Sequence, residues 1–222
     1  ARCHKLISLE LDPCLAARLT FHFRGHANVQ IVAADVLKTD FQALVAEEET
    51  ADVIGNLPYY ITSDILLHLF KASTTGILSR AVLMMQREVA ERVSATPGVR
   101  DYGLLSATVQ MNAQVENLFT LPPSAFSPPP EVYSSVLRLH FAPRFGELNV
   151  DPAGFDMFLR KCFAQKRKTL WNNLRAAGHP TEQLAAAWPS SIPALARGES
   201  LTLEQMAELY RTLSTTPGEK NR

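Results

Sequence analysis

Asp52-Val53-Ile54-Gly55-Asn56-Leu57-Pro58-Tyr59 is the stretch on which the reading of this chain turns. Asp52 to Gly55 reads as a short buried strand. Asn56-Leu57-Pro58-Tyr59 leaves it, and Ser63 is placed to cap a helix bearing Ile65, Leu66, Leu69 and Phe70 at helical spacing. A polar turn between a buried strand and a helix is where open α/β sheets hold their ligands.

The same alternation extends outward. Upstream, Lys5 to Leu11 is a strand, and Asp12-Pro13 opens a helix with an N-cap and a first-turn proline. That helix carries Leu15, Ala16, Leu19 and Phe23. Val29 to Ala33 is a second strand, with Asp35 just past its end. Downstream, Ala81 to Met85 is a strand and Glu88 to Ala95 a helix. Strands separated by helices imply a mostly parallel sheet covered on both faces.

The pattern then changes. Leu104 to Met111 reads as a helix, and Val115 to Leu121 and Val132 to Phe141 as an antiparallel hairpin at a sheet edge, joined by a proline-rich connection. From Asp151 only helix signals remain, over Phe155 to Phe163, Lys168 to Ala176, Thr181 to Trp188 and Leu203 to Leu213. The fold expected is α/β, a Rossmann-like sheet over 1–145 with a small C-terminal α-helical domain over 146–214 and a disordered tail over 215–222.

Composition sets bounds. Of 222 residues, 46% are hydrophobic and 20% charged, which supports a core and excludes global disorder. With 22 Lys and Arg against 22 Asp and Glu, the chain is not a uniformly basic nucleic-acid binder, although a local basic patch remains open. Cys3, Cys14 and Cys162 are odd in number and fit no metal spacing, so reduced thiols, a reducing cytoplasmic setting and no metal are expected. No apolar run approaches the roughly 20 residues of a membrane span. The chain opens at Ala1-Arg2 and reaches a strand almost at once, so it reads as a fragment, and a lost targeting segment stays open.

The residue types in the turn point to a particular chemistry. An exocyclic adenine amine is a poor nucleophile, because its lone pair is delocalised into the ring. Two acceptors, the Asn56 side-chain oxygen and the backbone carbonyl of Leu57 or Pro58, suit its two hydrogens and draw the nitrogen towards tetrahedral geometry. Proline fixes φ and holds the carbonyls in place. Tyr59 offers a face on which a flipped-out base can stack. Phe126 lies in a loop braced by Pro122, Pro123 and Pro128 to Pro130, which suits either stacking or a core anchor for the hairpin. Glu10 and Asp35, at strand ends, suit a ribose diol or an adenine amine, or simply cap helices. Arg160, Lys161, Lys166, Arg167, Lys168 and Arg175 form an acid-free run suited to RNA phosphates or to a solvated helix face.

Taken together, Glu10-Leu11-Asp12, Asn56-Leu57-Pro58-Tyr59, Gln86-Arg87-Glu88-Val89, Tyr102-Gly103, the segment Pro122 to Val132 and Gln165-Lys166-Arg167-Lys168-Thr169-Leu170 resemble the ribosomal RNA adenine dimethyltransferases, the small-subunit, KsgA-like branch best. The resemblance implies a seven-stranded methyltransferase sheet with a small helical domain, S-adenosyl-L-methionine as cofactor, and ribosomal RNA of the small subunit as partner, met by a monomer. It implies that Glu10 holds the cofactor ribose and Asp35 and Val36 its adenine. Asn56 would lie at the methyl-transfer centre against both cofactor and base, with Leu57 and Pro58 beside it. Tyr59 and Phe126 would sandwich the base, and Lys166, Arg167 and Lys168 would contact RNA. Two departures stand out. The family's glycine-rich cofactor loop, ahead of the Glu10 strand, has no counterpart here, and Tyr60 follows the tetrad where the family usually has Asn. A non-catalytic assembly factor on the same fold and the large-subunit branch are the alternatives. Amino-methylating DNA enzymes usually carry Asp-Pro-Pro-Tyr at this position, which Asn56-Leu57 disfavours.

Overall fold

The computed structural model describes residues 3–45 and 50–215. All but the first residue of the tail expected to be disordered lies outside them. Strand β1 (Leu6–Glu10) runs into helix α1 (Pro13–Phe23), whose start is fixed as the sequence requires: the Asp12 carboxylate accepts from Cys14 N and Leu15 N at 2.7 and 3.2 Å, and Pro13 takes the first helical position. Strand β2 (Val29–Ala33) follows, then a 3-10 turn over Val36–Lys38 and the one-turn helix α2 (Phe41–Leu44), neither of which is announced by periodicity.

Strand β3 (Ala51–Asn56) leads through the tetrad into α3 (Thr62–Ser73). The expected cap, Ser63, lies inside this helix, and the cap position is Ile61, which makes no side-chain cap bond. The turn itself starts the helix: the Pro58 carbonyl accepts from Ile61 N at 3.3 Å and from Thr62 Oγ1 at 3.0 Å. Strand β4 (Leu78–Gln86), helices α4 (Arg87–Ser94) and α5 (Leu104–Asn112), and the hairpin of β5 (Ala113–Leu121) and β6 (Ser134–Phe141) complete the first part.

Two expectations about the sheet are corrected. The described strands form two ladders rather than one sheet: a parallel pair β1–β2, and a four-stranded ladder in the order β3-β4-β6-β5. In the second, β3 and β4 are parallel, and β6 runs antiparallel between β4 and β5, so β5 is the edge strand. Among the described residues β1 pairs only with β2 and β3 only with β4, so each leaves a free edge. The second correction concerns cover. Helices α3, α4 and α5 all pack on one face, where Leu66, Leu69, Leu83, Met85, Leu137 and Leu139 are buried, each contributing about 1.5–3 kcal/mol by leaving water. Among the described residues the other face has no helix over β3. Ile54 is 85% exposed there, beside the cross-strand ion pairs Asp52–Arg80 at 2.7 Å and Glu116–Arg138 at 2.8 Å.

Between residues 143 and 215 the regular structure is helical. Asp151 caps α6 (Pro152–Cys162), and α7 (Leu170–Ala176), α8 (Thr181–Ala187) and α9 (Leu203–Thr215) follow. They enclose their own core around Phe155, Leu159, Leu170, Leu174, Leu184, Met206 and Leu209. Helix α5 serves both cores, giving Val109 to the sheet side and Ala107 and Met111 to the helical side. Arg144, in the connection, donates to Glu147 and to Glu204 of α9 at 2.7 Å, and these bonds hold both carboxyls below their ordinary range.

Candidate functional site

The carboxyl end of β3 is built to present one free amide. Asn56 closes the strand, in register with Met84 of β4, and its exposed side-chain amide has no hydrogen-bond partner among the described residues. Leu57 carries the ladder one residue further, its N donating to the Met84 carbonyl at 2.9 Å, and its buried side chain seats the turn. Gly55 leaves room for that seat, since a Cβ there would lie 3.2 Å from Leu57 Cδ2 and 3.4 Å from Leu83 Cδ2. Of the two carbonyls the sequence left open as acceptors, Pro58's is taken by Ile61 and Thr62. No described donor reaches that of Leu57. The free acceptor pair is therefore the Asn56 side-chain oxygen and the Leu57 carbonyl.

Tyr59 is 38% exposed and belongs to neither core cluster. Its hydroxyl is 3.0 Å from the Ser134 hydroxyl at the head of β6. Opposite Ser134 in the ladder stands Leu121, the last residue of β5, from which the proline loop departs. That loop makes a 3-10 turn over Pro123–Ala125 and then presents Phe126, half-buried and likewise outside both clusters. Tyr59 and Phe126 thus issue from the same end of one ladder and make no ring contact with each other. Ser134 was not singled out in the sequence. The signal was there in Ser134-Ser135, two hydroxyls opening a strand that continues Val-Leu-Arg-Leu.

Glu10 and Asp35 stand at the ends of the other ladder, joined by the Ala34 N to Glu10 O bond at 3.0 Å. Each has a local capping duty: Glu10 Oε1 accepts from Asp12 N, and Asp35 Oδ1 from Leu37 N, both at 2.9 Å. Each keeps its second oxygen, Asp35 Oδ2 lying 4.0 Å from Lys38 Nζ. Val36, half-buried, packs on the sheet-side core and ties this ladder to the other, as does the 2.8 Å contact of His68 Nε2 with the Thr39 carbonyl.

The basic run is divided: Arg160 and Lys161 lie in the last turn of α6 and Arg175 in that of α7, while its middle, including Lys168, is not on the helix expected over Lys168 to Ala176. Thr169 caps α7, so Lys166, Arg167 and Lys168 lie exposed on the turn between α6 and α7. Lys166 Nζ donates to the Arg100 carbonyl at 2.7 Å, fastening this turn to the loop before α5. Arg167 and Lys168 have no acidic partner among the described residues. Arg160 does, Asp156 one helical turn earlier at 2.8 Å. Cys162 is buried, which pushes its thiol up and removes it as a nucleophile. Among the described residues no three His, Cys, Asp or Glu side chains stand together as metal ligands. No helix there is long and apolar enough to cross a membrane.

A βαβ series with strand-end acids, an amide-bearing turn after its third strand, and an antiparallel hairpin closing one edge defines a methyltransferase-type α/β protein. Within that class, the chain belongs to the ribosomal RNA adenine dimethylase family, whose model matches residues 1–215. It is 54% identical over 213 residues to a ribosomal RNA small subunit methyltransferase A of Acidobacterium capsulatum, covering 96% of this chain and 75% of that protein. A protein of the same name from Koribacter versatilis is 45% identical, over 96% of this chain and 78% of its own length. The fold is that of a dimethyladenosine transferase from Plasmodium falciparum, with a TM-score of 0.73 at 23% identity over 92% of this chain and 80% of that one. It is also that of the 23S rRNA methyltransferase ErmE, at 0.64 and 24% over 96% and 84%.

Proposed function

We propose that this protein transfers methyl groups from S-adenosyl-L-methionine to the N6 amines of adenines in small-subunit ribosomal RNA, giving N6,N6-dimethyladenosine, in the cytoplasm. Membership of the family and the names of the relatives support the reaction class. The observation that carries the residue roles is the turn after β3, where the Asn56 amide and the Leu57 carbonyl are free while the Pro58 carbonyl is spent on starting α3.

The cofactor supplies an electrophilic methyl on a sulfonium sulfur. The spare oxygens of Glu10 and Asp35, at the carboxyl ends of adjacent parallel strands, fit a ribose diol and an adenine edge, with Val36 beside the latter. The methionine end falls to the family's glycine-rich loop, and the free edges of β1 and β3 fit the strand that carries such a loop. Asn56 Oδ1 and Leu57 O accept the two amine hydrogens and turn the nitrogen lone pair towards the methyl carbon. With the cofactor bound, the amine would take its methyl, the sulfur would leave as a neutral thioether, and the cationic nitrogen would release its proton to solvent. No described histidine or carboxylate is hydrogen-bonded to the 56–59 turn, and none is required as a base. In the second transfer the methylated amine keeps one hydrogen, and one acceptor suffices to orient it. Tyr59 and Phe126 replace the stacking that the base loses when it leaves its helix. Lys166, Arg167 and Lys168 meet RNA phosphates.

The test is Asn56→Ala. Methyl transfer to small-subunit RNA is expected to fall about 10²–10³-fold, the usual cost of removing one preorganised hydrogen-bonding group from a transition state. Cofactor affinity by calorimetry should change little. Full activity in Asn56→Ala, or a rate governed by a base titrating near neutrality, would overturn the assignment.

A further inference from the structure

We propose that Ser134 is a positioning residue for the base-stacking site: its hydroxyl fixes the Tyr59 ring, and its place in the ladder ties that ring to the loop carrying Phe126. The proposal rests on the reading of Tyr59 and Phe126 as the two faces that receive a base.

Tyr59 sits on a turn, outside both cores, and is 38% exposed. Neither core cluster holds the ring, and a ring free to swing among staggered positions would present a stacking face only part of the time. Its hydroxyl supplies the missing constraint, reaching 3.0 Å to Ser134 Oγ across 75 residues of sequence. Ser134 is fully buried, and the Tyr59 hydroxyl is its side chain's hydrogen-bond partner among the described residues. A buried hydroxyl without a partner is unfavourable, so both ends hold the bond in place.

Ser134 is itself held from two sides. It pairs with Gln86 at the end of β4 and with Leu121 at the end of β5. One residue along, Thr120 and Ser135 stand opposite each other with hydroxyls 2.9 Å apart, which locks β5 to β6 where the proline loop leaves. The separation of Tyr59 from the root of the Phe126 loop is therefore set through one buried side chain. Preorganising both faces lowers the ordering cost that binding would otherwise meet.

The experiment titrates the chain into single-stranded RNA carrying one 2-aminopurine, whose fluorescence is quenched by stacking. Wild type should quench it, and Tyr59→Ala should abolish most of the quenching. Tyr59→Phe and Ser134→Ala should each weaken binding about two- to tenfold, the worth of one hydrogen bond. The double variant should be no worse than either single one, because both remove the same bond. Additive losses, or wild-type affinity and quenching in Tyr59→Phe, would overturn the positioning role while leaving the stacking reading intact. Full quenching by Tyr59→Ala, or none by wild type, would sink the stacking reading and this proposal with it. Urea unfolding of Ser134→Ala separates loss of fold from loss of positioning. Should that variant not fold, Tyr59→Phe alone decides, since it touches only the exposed end of the bond.

Discussion

In the four-stranded ladder Leu83, Met85, Leu137 and Leu139 are wholly buried beneath α3, α4 and α5, whereas in β1, β2 and α1 the only buried side chain is Ala16. The two regions carry the same kind of sequence, short apolar strands alternating with capped helices. They differ in their second layer. Leu11, Leu15 and Phe21 stand exposed, with only the Arg24 guanidinium over the Phe21 ring, while their counterparts in α3 press on the sheet within a layer shared with α4 and α5. An apolar period makes an element ready for burial, and the stabilisation comes only when another layer takes the water's place. The site divides along the same line. Asn56, Tyr59 and the root of the Phe126 loop stand on the packed ladder, and Glu10 and Asp35 on the thinly supported one. The half proposed to hold the amine therefore stands on packed structure, and the half proposed to hold the cofactor on the thinly packed ladder, where local opening is expected first.

That difference is open to direct attack. Leu66→Ala, in the packed region, should cost about 2–5 kcal/mol of unfolding free energy. Leu15→Ala, at a residue 44% exposed in α1, should stay within about 0.5 kcal/mol. Urea titrations of the two variants measure both. Hydrogen exchange should show the amides of β1 and β2 opening well before those of β4 and β6. Equal costs at the two leucines would mean that the β1–β2 ladder is covered in solution, and the contrast would fall.

Phe126 sharpens the comparison from the packed side. It stands on that ladder without entering its core, so Phe126→Ala should lose roughly 1–3 kcal/mol of base stacking and very little stability. A melting temperature lowered by many degrees would make Phe126 an anchor of the hairpin instead.

Much of this was legible in the residues, and the parts that were not share a cause. Val29–Ala33 appears as a strand with the bounds its pattern gives, and Asp12-Pro13 caps α1 as read, because both depend on neighbours in sequence. Helix α2 was missed because four residues carry no period. Ser63 was favoured over the real start of α3 because its side chain is a good cap, yet the proline turn had already aimed a carbonyl at Thr62. The split of the strands into two ladders is invisible to any local signal, since a strand's pattern does not say which edges find partners. The same holds at the site. Asn56 and Tyr59 declare themselves by type and spacing, but which carbonyl is free, and that Ser134 grips Tyr59, are decided by residues brought together from distant parts of the chain.

The smallest expected effect concerns charge, where the distinction between engaged and free side chains recurs within the helical part. Arg160 and Arg167 look alike in the sequence, seven residues apart in one acid-free run. In the structure Arg160 is bound to Asp156, while Arg167 stands on the exposed turn with no acidic partner among the described residues. An arginine already paired brings little net charge to an RNA phosphate, and engaging it would mean giving up its carboxylate. Each phosphate contact releases counterions, so losing one lowers the slope of log K against log salt by up to about one unit. Arg167→Gln should flatten the salt dependence of ribosomal RNA binding by up to that amount, and Arg160→Gln should leave it nearly unchanged. Binding measured between low and physiological salt on both variants separates them. If Arg160→Gln flattened the slope and Arg167→Gln did not, the RNA would lie along the face of α6 rather than across the turn, and the basic turn would be a solvated loop.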